Sequence, residues 1–458
     1  MKENTYILED AIEALLGEKN YSTLRDILIT MNPADIAALF EELPVEWLPV
    51  LFRLLPKELA AEAFVEMNSE EQEMLIKGFS DAELKEVVDE LYVDDAVDIV
   101  EEMPANVVKR ILRQADSDKR RMINDILKYP EDSAGSIMTT EFVSLRPKMT
   151  TREAIKRIRR TGIDKETIYT CYVTQESNVL IGYISIRALI LADEEDVIEN
   201  IMERNVISVR TTDDQENVVR TLSKYGFLAV PVVDMENRLV GIVTVDDALD
   251  VIEEETTEDI SKMAAITPSD RPYMRMGVIE IWRTRIPWLM LLMISATFTG
   301  MIITSFENAL AAQVMLTAFI PMLMDTGGNS GSQASATIIR SISLGDVEFS
   351  DIFSVIWKES RVALLCGISL AAANLIKIIL VDIMLLGNNE ITISVAAVVC
   401  ITLALTVLIA KVVGCALPIL AERLGFDPAV MASPFITTIV DAISLLIYFQ
   451  VAILLLEI

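Results

Sequence analysis

Residues 321–333 read Pro321-Met-Leu-Met-Asp325-Thr-Gly327-Gly328-Asn329-Ser-Gly331-Ser-Gln333, and they interrupt a long apolar run that begins near residue 309. Within this run, no Lys or Arg appears before Arg340. A carboxylate and a glycine-rich break at membrane depth are costly, because lipid offers no water to satisfy them. We expect such groups to lie inside protein or along a water-filled path, although small residues in this pattern also fit a seam between packed helices.

Charge is distributed unevenly along the 458 residues. Residues 1–270 carry 56 acidic and 29 basic residues, a net charge of −27, whereas residues 271–458 carry 13 and 10, a net charge of −3. The chain therefore predicts an acidic soluble region followed by an apolar one. Such acidity argues against nucleic acid as a partner and favours cations, although a solubilising surface also explains many of the acids. The chain contains no histidine, which excludes a His-type metal site.

The acidic region contains two kinds of pattern. Residues 1–130 read as short helices with recurring cap signals, including Ser80 with Glu83 as a capping box, and they predict an all-α superhelical domain. Residues 131–255 alternate strand-like and helical runs twice, about 131–199 and 200–255, which predicts an α/β pair of repeats.

A connecting helix is predicted over residues 256–285, followed by an all-α transmembrane domain over 286–458. Basic residues gather before the first span and in two of the later loops, which places the N-terminus in the cytoplasm and the C-terminus outside. The domain is predicted to contain five helices, at 286–304, 309–339, 362–386, 391–420 and 429–456.

The last span carries oxygen-bearing side chains at a spacing of four residues, Ser433, Thr437 and Asp441, and Asp427 precedes it. One helix face therefore presents two hydroxyls and a carboxylate, which suits a hard cation. A lone carboxylate at this depth is costly unless it meets water or a cation. The alternative is an Asp441 that is hydrogen-bonded inside the bundle, for example to Lys377.

Residues 321–333 resemble the signature P-x-x-x-D-T-G-G-N-x-G-x-Q of the MgtE family of magnesium channels. The resemblance implies a multi-pass protein of the bacterial inner membrane that takes up Mg²⁺ as a homodimer. It also implies that Asp441 binds the ion together with its copy from a second subunit. The residues alone would permit Co²⁺, Mn²⁺ or Ca²⁺ as well, and a broader divalent cation channel remains the alternative.

Several cytoplasmic acids recur at helical spacing. Like charges on one helix face destabilise it unless something neutralises them, although most such acids are simply solvated. The family resemblance implies that Mg²⁺ bridges several of them between domains and closes the pore when internal Mg²⁺ is high. The candidate sensor residues are Asp94, Asp98, Asp214, Glu216, Asp247, Asp250, Glu255, Glu258 and Asp259.

The two α/β repeats resemble a tandem pair of CBS domains, of which the second ends in Gly241-Ile-Val-Thr-Val-Asp-Asp247. The resemblance implies ATP as a second ligand, although the first repeat departs from the pattern at Arg187, and a purely dimerising pair is the alternative. The candidate nucleotide residues are Tyr169, Arg187, Phe227, Thr244 and Asp246.

No Walker lysine motif or nucleophile elbow is present in the sequence, so we expect no enzyme. Two further classes remain open beside the cation channel. One is an anion channel that bears CBS domains, against which the acidic last span argues. The other is a membrane-anchored nucleotide-sensing scaffold, whose function would not depend on Asp441.

Overall fold

The computed structural model describes residues 11–269, 273–274, 276–388 and 391–457. It divides into two compact units between Ile252 and Glu253.

The first unit begins with short helices that are ended by recurring caps and prolines. The predicted capping box at Ser80 is confirmed, since the Ser80 hydroxyl accepts from the Glu83 amide and the Glu83 carboxylate accepts from the Ser80 amide at 2.7 Å. The helices are α1 (residues 11–17), α2 (Tyr21–Leu28), α3 (Pro33–Glu42), α4 (Leu48–Phe52), α5 (Lys57–Val65), α6 (Ser69–Gly78), α7 (Asp81–Glu90), α8 (Val93–Glu102), α9 (Ala105–Gln114) and α10 (Ser117–Ile126).

Two similar α/β repeats follow, as predicted. In each, a two-residue strand runs parallel to the middle strand, and the third strand is antiparallel to it. The strands are β1 (Ser144–Leu145), β2 (Thr170–Thr174), β3 (Leu180–Ser185), β4 (Val209–Arg210), β5 (Ala229–Val233) and β6 (Leu239–Thr244). The helices are α11 (Thr151–Thr161), α12 (Ile186–Leu191), α13 (Ile198–Ile201), α14 (Gln215–Tyr225) and α15 (Val245–Met263).

The segment before the first repeat pairs with the third strand of the second repeat, and the segment before the second pairs with the third strand of the first. Thr139 bridges Ile242 of β6, and Glu203 bridges Tyr183 of β3. A Cβ added at Gly241 would come within 2.8 Å of the Thr139 carbonyl oxygen, which explains why this position must be glycine. A single apolar core continues from the short helices into the second repeat.

The predicted single connecting helix over 256–285 is wrong. Helix α15 ends at Met263, Ala265 adopts a left-handed φ of 53°, and a new helix, α16 (Val278–Ser305), begins after Gly277. Pro268 disfavours helical geometry in the residue before it, which accounts for the interruption. Residues 270–272 and 275 lie outside the described part of the chain.

The second unit consists mainly of long helices. Among the described residues, four segments are long and apolar enough to cross a membrane, Val278–Ser305, Phe349–Leu385, Ile393–Arg423 and Pro428–Leu456. The helices after α16 are α17 (Glu307–Ala312), α18 (Ile320–Ser343), α19 (Ile352–Lys377, continued by a π-helix over Ile378–Leu385), α20 (Ile393–Arg423) and α21 (Ser433–Leu456).

The predicted second span, 309–339, is not one continuous helix. Gln313 departs from helical geometry, with φ −141° and ψ 83°, a 3-10 helix covers Val314–Phe319, and α18 begins only at Ile320, with Pro321 in its first turn. Proline lacks an N–H group and suits the first turn of a helix, where that group has no intrahelical partner. The predicted glycine-rich break is also wrong, because α18 continues through Gly327, Gly328 and Gly331 without interruption.

The glycines of α18 are packing residues. A Cβ at Gly331 would lie 2.8 Å from Ile436 of α21 and 3.2 Å from the Ala410 carbonyl of α20, and a Cβ at Gly414 of α20 would overlap the Gly331 carbonyl. The helix-seam interpretation of residues 321–333 therefore holds for this face of α18.

Candidate ion site and acidic cluster

Residues 321–333 divide between two opposite faces of α18. The glycines are buried against α20 and α21, whereas Asp325, Asn329 and Gln333 are exposed at a spacing of four residues. We call these three residues the polar stripe of α18. Three polar side chains in such a row would be costly to place against lipid, because lipid offers them no hydrogen-bond partners. Pro321 is also exposed, at the start of the helix.

Asp441 lies in the middle of α21, and its Oδ1 atom is buried without a hydrogen-bond partner among the described residues. Lys377, the partner named in the alternative interpretation, instead donates to Asp382 Oδ2 at 2.8 Å, so the structure does not support that alternative. The carboxylate of Asp325 lies within electrostatic range of Asp441. These observations leave Asp441 with a nearby negative charge, an arrangement that a cation would stabilise.

Thr437, one turn before Asp441 on α21, is placed by the packing of α18 against α21. A Cβ at Gly328 would come 2.8 Å from Thr437 Cγ2, so the absence of a side chain at Gly328 makes room for Thr437. Asp427 begins a 3-10 helix over Pro428–Met431, because its Oδ1 accepts from the Ala429 amide at 2.7 Å. Asp427 therefore caps this short turn, which precedes α21, and not the first turn of α21 itself. The side chain of Ser433 lies outside the described part of the structure.

In the first unit, carboxylates from three separate segments come together. They are Asp94 and Asp95 of α8, Glu166 before β2, and Asp247 of α15, and we call these four the acidic cluster. Asp94 is only 6% exposed, and its Oδ1 has no hydrogen-bond partner among the described residues. Burial, followed by the charge of Asp247, raises the pKa of Asp94 well above its usual value.

The pKa values of the other members of the acidic cluster are raised as well. Burial and then the charge of Asp247 raise the pKa of Asp95 to about 6 and that of Glu166 to about 8. Burial also raises the pKa of Asp247, although its hydrogen bonds from the hydroxyl and amide of Thr244 oppose the shift. Each carboxylate therefore resists ionisation while the others are charged.

The acidic cluster does not amount to a preformed coordination shell. Across the described ranges, no group of three or more acidic or cysteine side chains is close enough to hold a metal ion. The cluster instead gathers negative charge that protons or cations would stabilise.

The structure places the predicted sensor residues in different surroundings. Asp98 and Asp250 act on the acidic cluster through their charges, whereas Asp214 caps α14 by accepting from the Glu216 amide, and Glu216 pairs with Arg220 at 2.7 Å. Glu255 is half-buried on α15. In the second unit, Glu258 pairs with Lys262, and Asp259 accepts from Ser343 at 3.2 Å.

Sequence reasoning missed Asp95 and Glu166. The doublet Asp94-Asp95 was visible, but i, i+4 spacing drew attention to Asp98. Glu166 lies in a connection and offers no periodic signal, so only the fold could place it beside α8.

The predicted nucleotide residues are spread over both repeats. Tyr169, Arg187 and Asp246 are exposed, and Phe227 is half-buried in a stacked pair with Tyr225, with ring centroids 5.4 Å apart. Thr244 is buried and donates to Asp247. Phe227 also lines a small cavity of about 50 Å³, together with Thr170, Tyr172, Tyr183, Val206, Ile207, Leu228, Ala229 and Pro231.

Three family models match the chain. A divalent cation transporter model covers residues 320–451, an MgtE intracellular N domain model covers 31–132, and CBS domain models cover 134–195 and 198–254. The chain is 39% identical over 451 residues to a protein named magnesium transporter MgtE of Thermus thermophilus, with 98% of each chain covered. The chain belongs to the MgtE family.

Two further relatives of this MgtE-family chain extend the comparison. A protein named magnesium transporter MgtE of Bacillus subtilis is 32% identical over 438 residues, which cover 96% of this chain and 95% of the relative. A crystal structure of the cytosolic domain of the Mg²⁺ channel MgtE in complex with ATP is 40% identical, with a TM-score of 0.51, and covers 53% of this chain and 99% of that one.

Proposed function

We propose that this chain transports Mg²⁺ across a membrane along a path lined by the polar stripe of α18 and by Asp441 of α21. The buried and unpartnered Oδ1 of Asp441, close to the charge of Asp325, is the observation that carries the proposal. Relatives named magnesium transporters match almost the full length of the chain, which supports Mg²⁺ as the transported ion. Because Mg²⁺ gives up water reluctantly, we expect it to pass at least partly hydrated.

Ion flux through the purified full-length protein in liposomes tests this function. With a Mg²⁺ gradient and a Mg²⁺-sensitive dye inside, the native protein should load the liposomes, and Asp441→Asn should reduce loading to the background of empty liposomes. Asp346→Asn, which changes an exposed aspartate after α18, is the matched control and should behave like the native protein. Equal flux with Asp441→Asn would contradict the proposal, and equal loading with Co²⁺ would favour the broader divalent cation channel.

A homodimer is part of the same proposal. One chain offers a single α21 carboxylate beside an exposed polar stripe, and a second copy that faces both would cover the stripe and supply a second Asp441. Two carboxylates attract a divalent ion more strongly than a monovalent one. The five-helix count is likewise proposed, with α18 as the fifth crossing beside the four apolar segments. The N-terminus would then be cytoplasmic and the C-terminus outside.

We propose that the acidic first unit senses internal Mg²⁺. Ions near the acidic cluster would neutralise carboxylates that otherwise repel one another, so Mg²⁺ would favour the arrangement in which they are close. That differential affinity is what a switch that closes the path at high Mg²⁺ requires. The superhelical arrangement of α1 to α10 is proposed as the support that carries Asp94 and Asp95.

ATP is proposed as a second ligand of the CBS pair. The support is a relative's cytosolic domain that is described in complex with ATP, together with the aromatic Phe227 beside a small cavity. Equilibrium dialysis of the full-length protein with labelled ATP would test this, and Phe227→Ala should weaken the binding. Unchanged binding in that variant would contradict the assignment of Phe227.

A further inference from the structure

A cavity separates α16 from the helix against which it packs. Helix α16 contributes no buried residue to the described part of the chain, and it contacts the rest of the second unit mainly through α21. The space between the two helices measures about 400 Å³. Its wall on α16 is formed by one helix face, which carries Trp288, Leu291, Leu292, Ser295 and Phe298. Helix α16 therefore turns an apolar face toward a space that no described residue fills.

The walls of this cavity offer contacts to hydrocarbon and no free hydrogen-bond donor on a hydroxyl. Two hydroxyls line it, and each donates to a carbonyl of its own helix, Ser295 to Leu292 at 2.8 Å and Thr438 to Pro434 at 3.1 Å. The other lining side chains are aliphatic or aromatic. Water would find few partners in such a space, whereas a hydrocarbon chain would gain dispersion contacts with its walls.

The length of the cavity matches one leaflet of a bilayer. Helix α16 rises about 15 Å from Trp288 to Phe298, whereas the hydrocarbon core of a whole bilayer is about 30 Å thick. Trp288 lies close to the basic end of the apolar segment Val278–Ser305. One acyl chain of a lipid in the leaflet on that side would therefore lie along the cavity.

Two arginines stand where the headgroup of such a lipid would be. Arg283 and Arg285 precede Trp288 by five and three residues on α16, and both are exposed. Within the described ranges, neither has an ion-pair partner, and the nearby Glu280 carboxylate accepts from an amide at the start of the helix. Guanidinium groups bind phosphate oxygens with two parallel hydrogen bonds. The charge at this end of the cavity thus complements an anionic headgroup.

Helix α21 separates the cavity from α18. Val440 and Ser444 of α21 lie against Gly327 of α18. The cavity residues Thr438 and Ala442 each precede one of these two by two positions, which on an α-helix is nearly the opposite side. An occupant of the cavity would therefore not lie on the proposed path beside the polar stripe of α18.

We propose that the cavity between α16 and α21 holds one acyl chain of an anionic phospholipid whose phosphate is bound by Arg283 and Arg285. The chain fills the space and completes a contact between the two helices that the protein alone leaves open. The inference goes beyond the proposed transport, because it assigns a lipid ligand to a face of α21 that does not line the path.

Native mass spectrometry of the purified full-length protein counts bound lipids without any measurement of transport. The protein is stripped of lipid by detergent exchange and titrated with dioleoylphosphatidylglycerol, which is anionic, or with dioleoylphosphatidylcholine, which has the same chains and no net charge. We expect the anionic lipid to bind more tightly. Arg283→Gln combined with Arg285→Gln should weaken its binding about thirtyfold, the factor that corresponds to about 2 kcal/mol, or about 1 for each arginine. Arg283→Lys with Arg285→Lys keeps the charge and should retain most of the binding.

A matched pair of variants tests the position of the acyl chain. Ser295→Phe places a ring in the cavity and should remove the most tightly bound lipid, whereas Ala296→Phe adds the same ring to an exposed position outside the cavity and should not. Size-exclusion chromatography checks that both elute like the native protein. If Ser295→Phe elutes abnormally, Ala442→Phe fills the same space from α21 and replaces it in the test.

The outcomes are distinct from those of the transport experiment. Equal affinity of the native protein for the two lipids, or unchanged binding of the anionic lipid by Ser295→Phe, would overturn the lipid site. A native dimer that binds no lipid would assign the cavity to contacts between copies and would also overturn it, as would soluble glycerol phosphate that binds as tightly as the lipid. A protein that binds the lipid as expected but shows no Mg²⁺ flux would overturn the proposed transport and leave the lipid site standing.

Discussion

Asp94 in the first unit and Asp441 in the second both bury a carboxylate oxygen that lacks a partner among the described residues, yet their surroundings differ. Other acids surround Asp94, and the charges of Asp247, Asp95 and Glu166 repel its charge most strongly. Asp441 has Asp325 as its acidic neighbour and is held by helices that meet through glycines. The first carboxylate is placed in a region dominated by charge, and the second in one dominated by close packing.

This difference indicates how each region should respond to its conditions. A cluster of mutually repelling acids changes its stability with pH and with cation concentration. A helix seam in which backbones touch depends on side-chain volume and hardly on pH. The first arrangement suits a sensor, and the second suits a fixed site on a path.

The largest expected effect comes from filling the helix seam. Gly331→Leu would drive a side chain into Ile436 and the Ala410 carbonyl, so α18 could not keep its distance from α20 and α21. We expect a loss of about 3 kcal/mol of stability and no measurable flux, at any pH or Mg²⁺ concentration. Size-exclusion chromatography in detergent, followed by liposome flux, gives the measurement.

Gly300→Leu on α16 is the matched control, because a Cβ at Gly300 meets nothing within 4 Å. This variant should elute and conduct like the native protein. A well-folded and active Gly331→Leu protein would show that the seam does not fix the position of Asp441.

A smaller effect is expected from the acidic cluster. Folding raises the pKa of Glu166 to about 8, whereas in the unfolded chain a glutamate titrates near its ordinary value of about 4.3. The folded state therefore binds more protons, so the stability contributed by Glu166 is complete below about pH 4 and is lost as pH rises toward 8. Asp95 follows the same sign over a window that ends near pH 6.

With Glu166→Gln, the stability of the first unit should depend less on pH and also less on Mg²⁺. At pH 8 without divalent cations, we expect slower hydrogen exchange in α8 than in the native protein, by a factor of a few. Mg²⁺ should slow exchange in the native protein more than in the variant. Glu176→Gln, an exposed change in the β2–β3 turn, is the control, and an unaltered pH profile for Glu166→Gln would contradict the mutual repulsion.

Local sequence patterns predicted most of the helices and strands but not the contacts between them. The strands β2, β3, β5 and β6 and the helix α14 were recognisable because each has its own periodicity and its own turn signals. The opposite faces of α18 were also encoded in the spacing of residues 321–333. The sequence was read there as a break, because glycines lower helix propensity when neighbouring helices are not considered.

Contacts between distant segments could not be predicted in this way. Glu166 comes close to Asp94 only because the fold brings the connection before β2 to α8, and Lys262 binds Asp427 across a large separation in sequence. In the sequence alone, a charged residue in an amphipathic segment gives the same pattern whether its side chain contacts water or a carboxylate. The end of α15 was mispredicted because the effect of Pro268 and Ala265 was outweighed by the helical character of both flanks.

The smallest expected effect is at the Ser80 cap of α7, which belongs to the first unit but not to its acidic cluster. Ser80→Ala removes the acceptor of the Glu83 amide and should cost about 1 kcal/mol. Because a serine hydroxyl does not titrate in this range, the loss should be the same at pH 5 and pH 8 and with or without Mg²⁺. Ser80→Asp, which restores a capping oxygen, should recover most of it. Hydrogen exchange in α7 provides the measurement, and a loss that varied with Mg²⁺ would mean that cation sensitivity is spread through the helical domain instead of being confined to the carboxylates around Asp94.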